Sequence, residues 1–202
     1  MCLDFTGLLV SCNPNNPSQK KEVTLKNVMD VVMEYYPYME GDVLTFRNET
    51  SDEILTITAK SKNNIPFLFL DTINGSFMDG NRGWHLNIEA YLSVNYQDSK
   101  DYSCTTRTIM DFKEEENTAE IMWLGDISLN SNEEFQFATD FIKYTKDELY
   151  SNLKEIIRIP MVYHVYSHKA LDPIENAYME IARGIGINAF CLDGTTIWKR
   201  VQ

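Results

Sequence analysis

The residues with the strongest intrinsic chemistry in this 202-residue chain are three histidines and four cysteines, and their spacing limits what they can do. His164 and His168 stand four apart. On a helix they would share a face, and Asp172 or Glu175 could complete a metal shell. The flanking Val162, Tyr163, Val165 and Tyr166 favour a strand instead, which would set the two imidazoles about 13 Å apart. The pair also lacks the glutamate of a His-Glu-x-x-His motif. His164 and His168 are therefore metal candidates by spacing only, and no cofactor is expected. A cysteine nucleophile would need Cys104 or Cys191 beside a histidine. Both sit in strand-like segments and read as buried free thiols. Asp71 through Asp79-Gly80-Asn81 offers oxygen ligands without the spacing of a calcium loop. No spacing singles out a carboxylate pair for glycoside chemistry, and Gly184-Ile185-Gly186 enters a strand, where no helix N-terminus would gather donors on a phosphate. Tyr91, on the polar face of a long strand, is the aromatic placed to stack on a glycan or a peptide. No catalytic residue is assigned.

Charge narrows the partners. Thirty Asp and Glu against 18 Lys and Arg leave a net charge of −12. Such a surface repels phosphate backbones and anionic lipid headgroups, so nucleic acid is excluded as a partner class. Lys113-Glu114-Glu115-Glu116 reads as a solvated turn. No apolar run approaches the ~20 residues that span a bilayer as a helix.

The elements that must position these residues are mostly strands. Trp84, Leu86, Ile88, Ala90, Leu92, Val94 and Tyr96 alternate with polar neighbours, the pattern of a half-buried antiparallel strand. Leu44 and Phe46, Ile54 to Ala59, Ile65 to Leu70, Thr106 to Phe112 and Ala119 to Leu124 continue it, with a turn at Asn48 to Asp52 and a long turn region at Gly75, Gly80 and Gly83. Two helices are expected. One carries Leu25, Val28, Met29 and Val32 behind a Thr24 N-cap and stops before Pro37. The other starts at the capping box Thr145-Lys146-Asp147-Glu148, carries Leu149, Leu153, Ile156 and Ile157, and stops at Pro160. Phe135, Phe137 and Phe141 are expected to anchor the core. At the C-terminal end, Ile185 to Cys191 and Thr196 to Arg200 flank Asp193-Gly194, which predicts a hairpin with a two-residue type I′ turn. The fold class expected is α+β, a mainly antiparallel, twisted sheet of sandwich or half-barrel form with one or two short helices, in a single domain over 21–202.

Residues 1–20 differ from the rest. Leu8-Leu9-Val10 is a small apolar run, and Asn13 to Lys21 is a polar, proline-containing stretch of tether character. Leu9-Val10-Ser11-Cys12 resembles the lipobox of bacterial lipoproteins. That resemblance implies signal-peptidase recognition through Leu9, Val10 and Ser11 and a diacylglycerol on Cys12. A complete signal peptide also has a basic segment and a longer apolar core, so the resemblance implies that 1–20 is a truncated leader plus tether. Tyr36-Pro37-Tyr38 through Gly41-Asp42 to Asn48, together with Arg183-Gly184-Ile185-Gly186 through Asp193-Gly194 to Trp198, resembles the two ends of an uncharacterised group of exported lipoproteins from Gram-negative gut anaerobes. The group's likeness implies location and architecture, and it supplies no catalytic residues.

The resulting expectation is a lipid-anchored cell-envelope protein, periplasmic or on the outer membrane, with a non-catalytic binding or structural role. It would touch the membrane through its lipid only and take a glycan or protein ligand. The alternatives are an exported carboxylate-dependent hydrolase of glycans or peptides, and a cytosolic non-enzymatic binding domain.

Overall fold

The computed structural model describes residues 29–61, 66–76, 80, 82–97, 99–113, 115–130, 133–145, 148, 155–163 and 172–201. Twelve strands form one antiparallel sheet: β1 (Val43–Asn48), β2 (Ile54–Ala59), β3 (Leu68–Ser76), β4 (Arg82–Tyr96), β5 (Ser99–Lys113), β6 (Thr118–Asn130), β7 (Glu133–Ala138), β8 (Ile142–Thr145), β9 (Ile156–Tyr163), β10 (Asp172–Ala182), β11 (Gly186–Cys191) and β12 (Ile197–Val201). Ten of them close a ring. Neighbours around it run β1–β2–β4–β5–β6–β7–β9–β10–β11–β12, and β12 returns to β1 through Asn48↔Trp198 and Phe46↔Arg200. Each ring strand pairs with the next in sequence, so this is an up-and-down barrel, which removes sheet edges from the ring.

The expected sandwich or half-barrel is thus corrected to a closed barrel, and the α+β class to mainly β. The reason is visible on β4. Its second half pairs with β2, Leu92↔Ala59 to Tyr96↔Leu55, which seals the ring. Its first half pairs with β3, Ala90↔Leu68 to Arg82↔Ser76. Long β4, β5 and β6 therefore run out beyond the barrel and carry β3 on one side and β8, paired to β6, on the other.

Alternation builds the interior. Leu86, Ile88, Ala90, Leu92 and Val94 of β4 are fully buried, while His85, Asn87, Glu89 and Tyr91 are only partly so. Phe46, Trp123, Phe137 and Phe190 fill the lumen from four other strands. The N-terminal segment adds three tyrosines. Helical residues 29–33 end in a turn, in which Tyr35 N donates to Val32 O and Tyr36 N to Met33 O. Tyr35 then packs edge-on against Trp123 at 4.9 Å between ring centroids. The Tyr36 hydroxyl lies 2.6 Å from Thr108 Oγ1, and Tyr38 Oη accepts from Ile187 N at 2.8 Å. A barrel of this girth could hold a ligand inside; here aromatic side chains occupy that space. Burial raises all three phenols, Tyr35 to about 12.

Four local expectations change. The capping box forms, with Thr145 N donating to Glu148 Oε2 (2.8 Å) and Glu148 N to Thr145 Oγ1 (3.3 Å), while Leu149 and Leu153 lie outside the described residues. Ile156 and Ile157, however, belong to β9, because the β-branched run Ile156-Ile157-Arg158-Ile159 prefers a pleated surface. Pro160 lies inside that strand, at a stretch whose one strand neighbour among the described residues is β10, where a missing N–H costs no ladder bond. Phe141 is exposed (48%), whereas Phe137 is buried and Phe135 packs on the core. Gly75 and Gly83 are a cross-strand pair within the β3–β4 hairpin, not turn residues. Finally, a five-residue connection replaces the type I′ turn. The Asp193 carboxylate accepts from Thr195 N (2.9 Å) and Thr196 N (2.7 Å), and of the two turn residues only Gly194 takes a positive φ, +80°. Burial alone would raise that carboxyl, but the threonine donors outweigh it and hold it at about 2.

Candidate functional site: a rim cleft around Arg200

β12 brings an arginine to a core-facing register position. Arg200 lies directly across from fully buried Phe46, and two residues before it Trp198 is buried against Phe190. At the barrel mouth Arg200 lines a cleft of about 640 Å³ together with Tyr38, Asp42, Thr45, Ile185 and Asn188. One guanidinium N–H, on Nη1, donates to Ile185 O. Arg107, Arg158 and Arg183 each pair with a carboxylate, Glu89, Glu180 and Glu34 in turn. Arg200 enters no such pair among the described residues. The Asp42 carboxylate instead accepts from Met39 N at 2.8 Å. A guanidinium with no carboxylate partner among the described residues, in a cleft on a chain of net charge −12, keeps its remaining donors for an external acceptor.

A second groove, of about 720 Å³, crosses the outside of β9 to β12. Arg158 stacks 4.1 Å above the Tyr178 ring and pairs with Glu180 at 2.9 Å. Asn188 Nδ2 donates to the other Glu180 oxygen at 2.7 Å. Charge here is already matched, so the groove offers an aromatic shelf and no free ion.

The sequence candidates fare differently. Cys12, Leu9, Val10, Ser11, His164 and His168 lie outside the described residues. Cys104 and Cys191 are free and buried, and burial raises both thiols. His85 Nδ1 is 2.7 Å from Asp111 Oδ1. Cys104 pairs with Leu92, seven residues along β4 from His85, or about 23 Å, so these two form no dyad. Among the described residues no His, Cys, Asp and Glu side chains group to hold a metal ion, and no helix is long and apolar enough to cross a membrane. Tyr91 stands half-buried on the outside of β4, as expected, and its register row continues through Thr105, Asp126 and Gln136.

The chain matches no known protein family, no curated protein and no solved structure. The site therefore rests on its own geometry.

Sequence reasoning missed two residues. Arg200 was read as one more alternating strand position; the usable signal was a cation two residues after Trp198 on the same, inward face. Asp126 is the other. Desolvation, reinforced by the charges of Glu134 and Glu89 and opposed by Arg107 and a Thr105 hydrogen bond, pushes its carboxyl up from 3.8 to about 6. Folded Asp126 thus keeps its proton to about pH 6, while an unfolded aspartate loses it near 4. Between those values the folded state binds more protons, so the residue's contribution to stability is full below pH 4 and declines as pH rises through 6. Asp126→Asn removes the decline. Thermal melts should show little difference from wild type at pH 4 and a more stable variant at pH 7.5, by at most roughly 2–3 kcal/mol. An equal difference at both pH values would refute the assignment.

Proposed function

We propose that this chain is a non-catalytic binding protein of the cell envelope, tethered by a lipid on Cys12, whose barrel offers the Arg200 cleft to an acidic group of its ligand. The cleft carries the binding half of this reading. With the lumen filled by Tyr35, Tyr36, Tyr38, Phe46, Trp123, Phe137 and Phe190, ligand contact falls to the rim and the outer grooves, and Arg200 is the rim's uncompensated donor. The tether half rests on Leu9-Val10-Ser11-Cys12 and the polar stretch behind it. A planar carboxylate suits the guanidinium fork, on a glycan acid or a peptide.

A single protein preparation tests both halves. Native protein should carry a diacylglyceryl Cys12 in the membrane fraction, and Cys12→Ser should release it; an unmodified Met1 on protein from the cell would overturn the tether. Calorimetric titration with an N-acetylated tripeptide acid should show binding that weakens about tenfold in Arg200→Gln and with the tripeptide amide. Equal affinity in both would overturn the cleft.

A second reading, an exported hydrolase, draws on Asp126, a carboxyl that burial and the charges of Glu134 and Glu89 raise to about 6. Against it, Glu89 is held by Arg107 at 2.6 Å, and the group sits on the outer face of the sheet, in the Tyr91 row, rather than in a cleft.

A further inference from the structure

The ring of ten strands has no edge, but β3 does. Among the described residues β3 has one strand neighbour, β4, and the sheet order ends on it. From Phe69 to Ser76 every residue is exposed on both faces, including Phe69 (43%), Leu70 (43%) and Ile73 (55%). Proteins ordinarily blunt a free edge with lysine, proline, a bulge or a cover. β3 has none of the first two, its pairing with β4 runs without a register shift from Leu68 to Ser76, and its one charged side chain is Asp71. A nine-residue edge in unbroken register that exposes Phe69, Leu70 and Ile73 is a template for another strand.

The backbone says which residues would do the pairing. Tyr91 N donates to Phe67 O at 2.7 Å, one residue pair before Leu68↔Ala90. Hydrogen-bonded and non-bonded pairs alternate along an antiparallel ladder. Phe69, Asp71, Ile73 and Gly75 therefore turn their N–H and C=O groups toward β4, and Leu68, Leu70, Thr72, Asn74 and Ser76 turn theirs outward.

We infer that β3 is a self-association strand: two copies of this chain join β3 to β3, antiparallel, about a two-fold axis at Thr72. This goes beyond the cleft and does not depend on it. Thr72 is the central residue of the strand, and its groups point outward. An axis there sets Thr72 against its own copy, Leu70 against Asn74 and Leu68 against Ser76, so every outward group meets a partner. The intervening pairs fit as well. Phe69 covers Gly75 of the other copy, an aromatic over a bare glycine. Asp71 faces Ile73 rather than another Asp71, so like charges meet only on the diagonal, and the two Ile73 side chains lie on the other diagonal across the axis. Repulsion at −12 opposes self-association over most of the surface; a segment with a single charge is where it is least. The interface is isologous and closes at two copies.

The test is the mass of the full chain in solution. Sedimentation should show the 23.4 kDa monomer moving toward twice that mass between about 5 and 500 µM, the range of a small interface. Thr72→Pro deletes one outward N–H, leaves the β4 ladder intact, and should hold the chain monomeric with unchanged circular dichroism. If that variant fails to fold, Ile73→Lys, a change at an exposed side chain, decides in its place. With Cys2 and Cys12 replaced by serine, Thr72→Cys should oxidise to a cross-linked dimer, since hydrogen-bonded pairs stand about 5.5 Å apart at Cα. A wild type monomeric throughout, a folded Thr72→Pro that still dimerises, or Thr72→Cys without cross-link would overturn the inference.

Discussion

Gly125→Ala is expected to destabilise the barrel by about 4 kcal/mol or more, or to leave it insoluble, although it adds a single methyl. Gly125 lies on β6 across from Thr106 of β5 and Phe137 of β7. A Cβ there would stand 2.5 Å from Phe137 Cζ and closer still to the Thr105 carbonyl oxygen. Phe137 is fully buried and cannot swing away without opening the lumen. The Thr105 carbonyl belongs to the β5–β6 ladder, so relief there would break the sheet itself. Urea unfolding measures the change directly; a loss under 1 kcal/mol would mean that β6 can shift where the packing says it cannot.

Gly186→Ala should cost about 3 kcal/mol, from two sources that can be separated. The first is backbone strain at φ +80°, worth about 1–2 kcal/mol for a residue with a Cβ. The second is collision: the new methyl would lie 2.5 Å from Tyr38 Cε1 and Cζ, and nearer to the hydroxyl. Tyr38 is pinned there by the bond it accepts from Ile187 N. Tyr38→Phe alone should lose about 1 kcal/mol. Because it also removes the atom nearest the added methyl, the double variant should be less destabilised than the sum of the singles by at least about 0.5 kcal/mol. Strict additivity would show that the collision is absorbed elsewhere.

What could be read from the residues in order was most of the strands, though not β7, β8 or β9, and what could not was how the sheet closes. Period-two alternation made β4 legible because each core position of Leu86 to Val94 is apolar and its neighbours are polar. Closure depends instead on β4 being shared between β2 and β3, which no local pattern reports. The second helix has a sound start signal, Thr145 and Glu148, but it does not extend to Ile156 and Ile157, which belong to β9. At Asp193-Gly194 the dipeptide suited a tight turn, and the two threonines that follow drew the carboxylate into a wider one. The site was harder still. Arg200 acquires meaning only from Phe46, a strand 154 residues away, and Asp126 from charges on three other strands. The outward place of Tyr91 was legible because the side on which a strand residue stands is a local property.

Closure through β12 also governs when this molecule can exist. The Asn48↔Trp198 pairing and the Tyr38–Ile187 bond each span about three quarters of the chain. A ribosome or a secretion channel delivers the polypeptide from its N-terminal end, and β1 and the three tyrosines emerge long before their partners. Until Val201 is free, β1 and β11 each keep a bare edge and the lumen stays open to water. The barrel therefore completes only after β12 has emerged, and any holding factor would act on the waiting first strands.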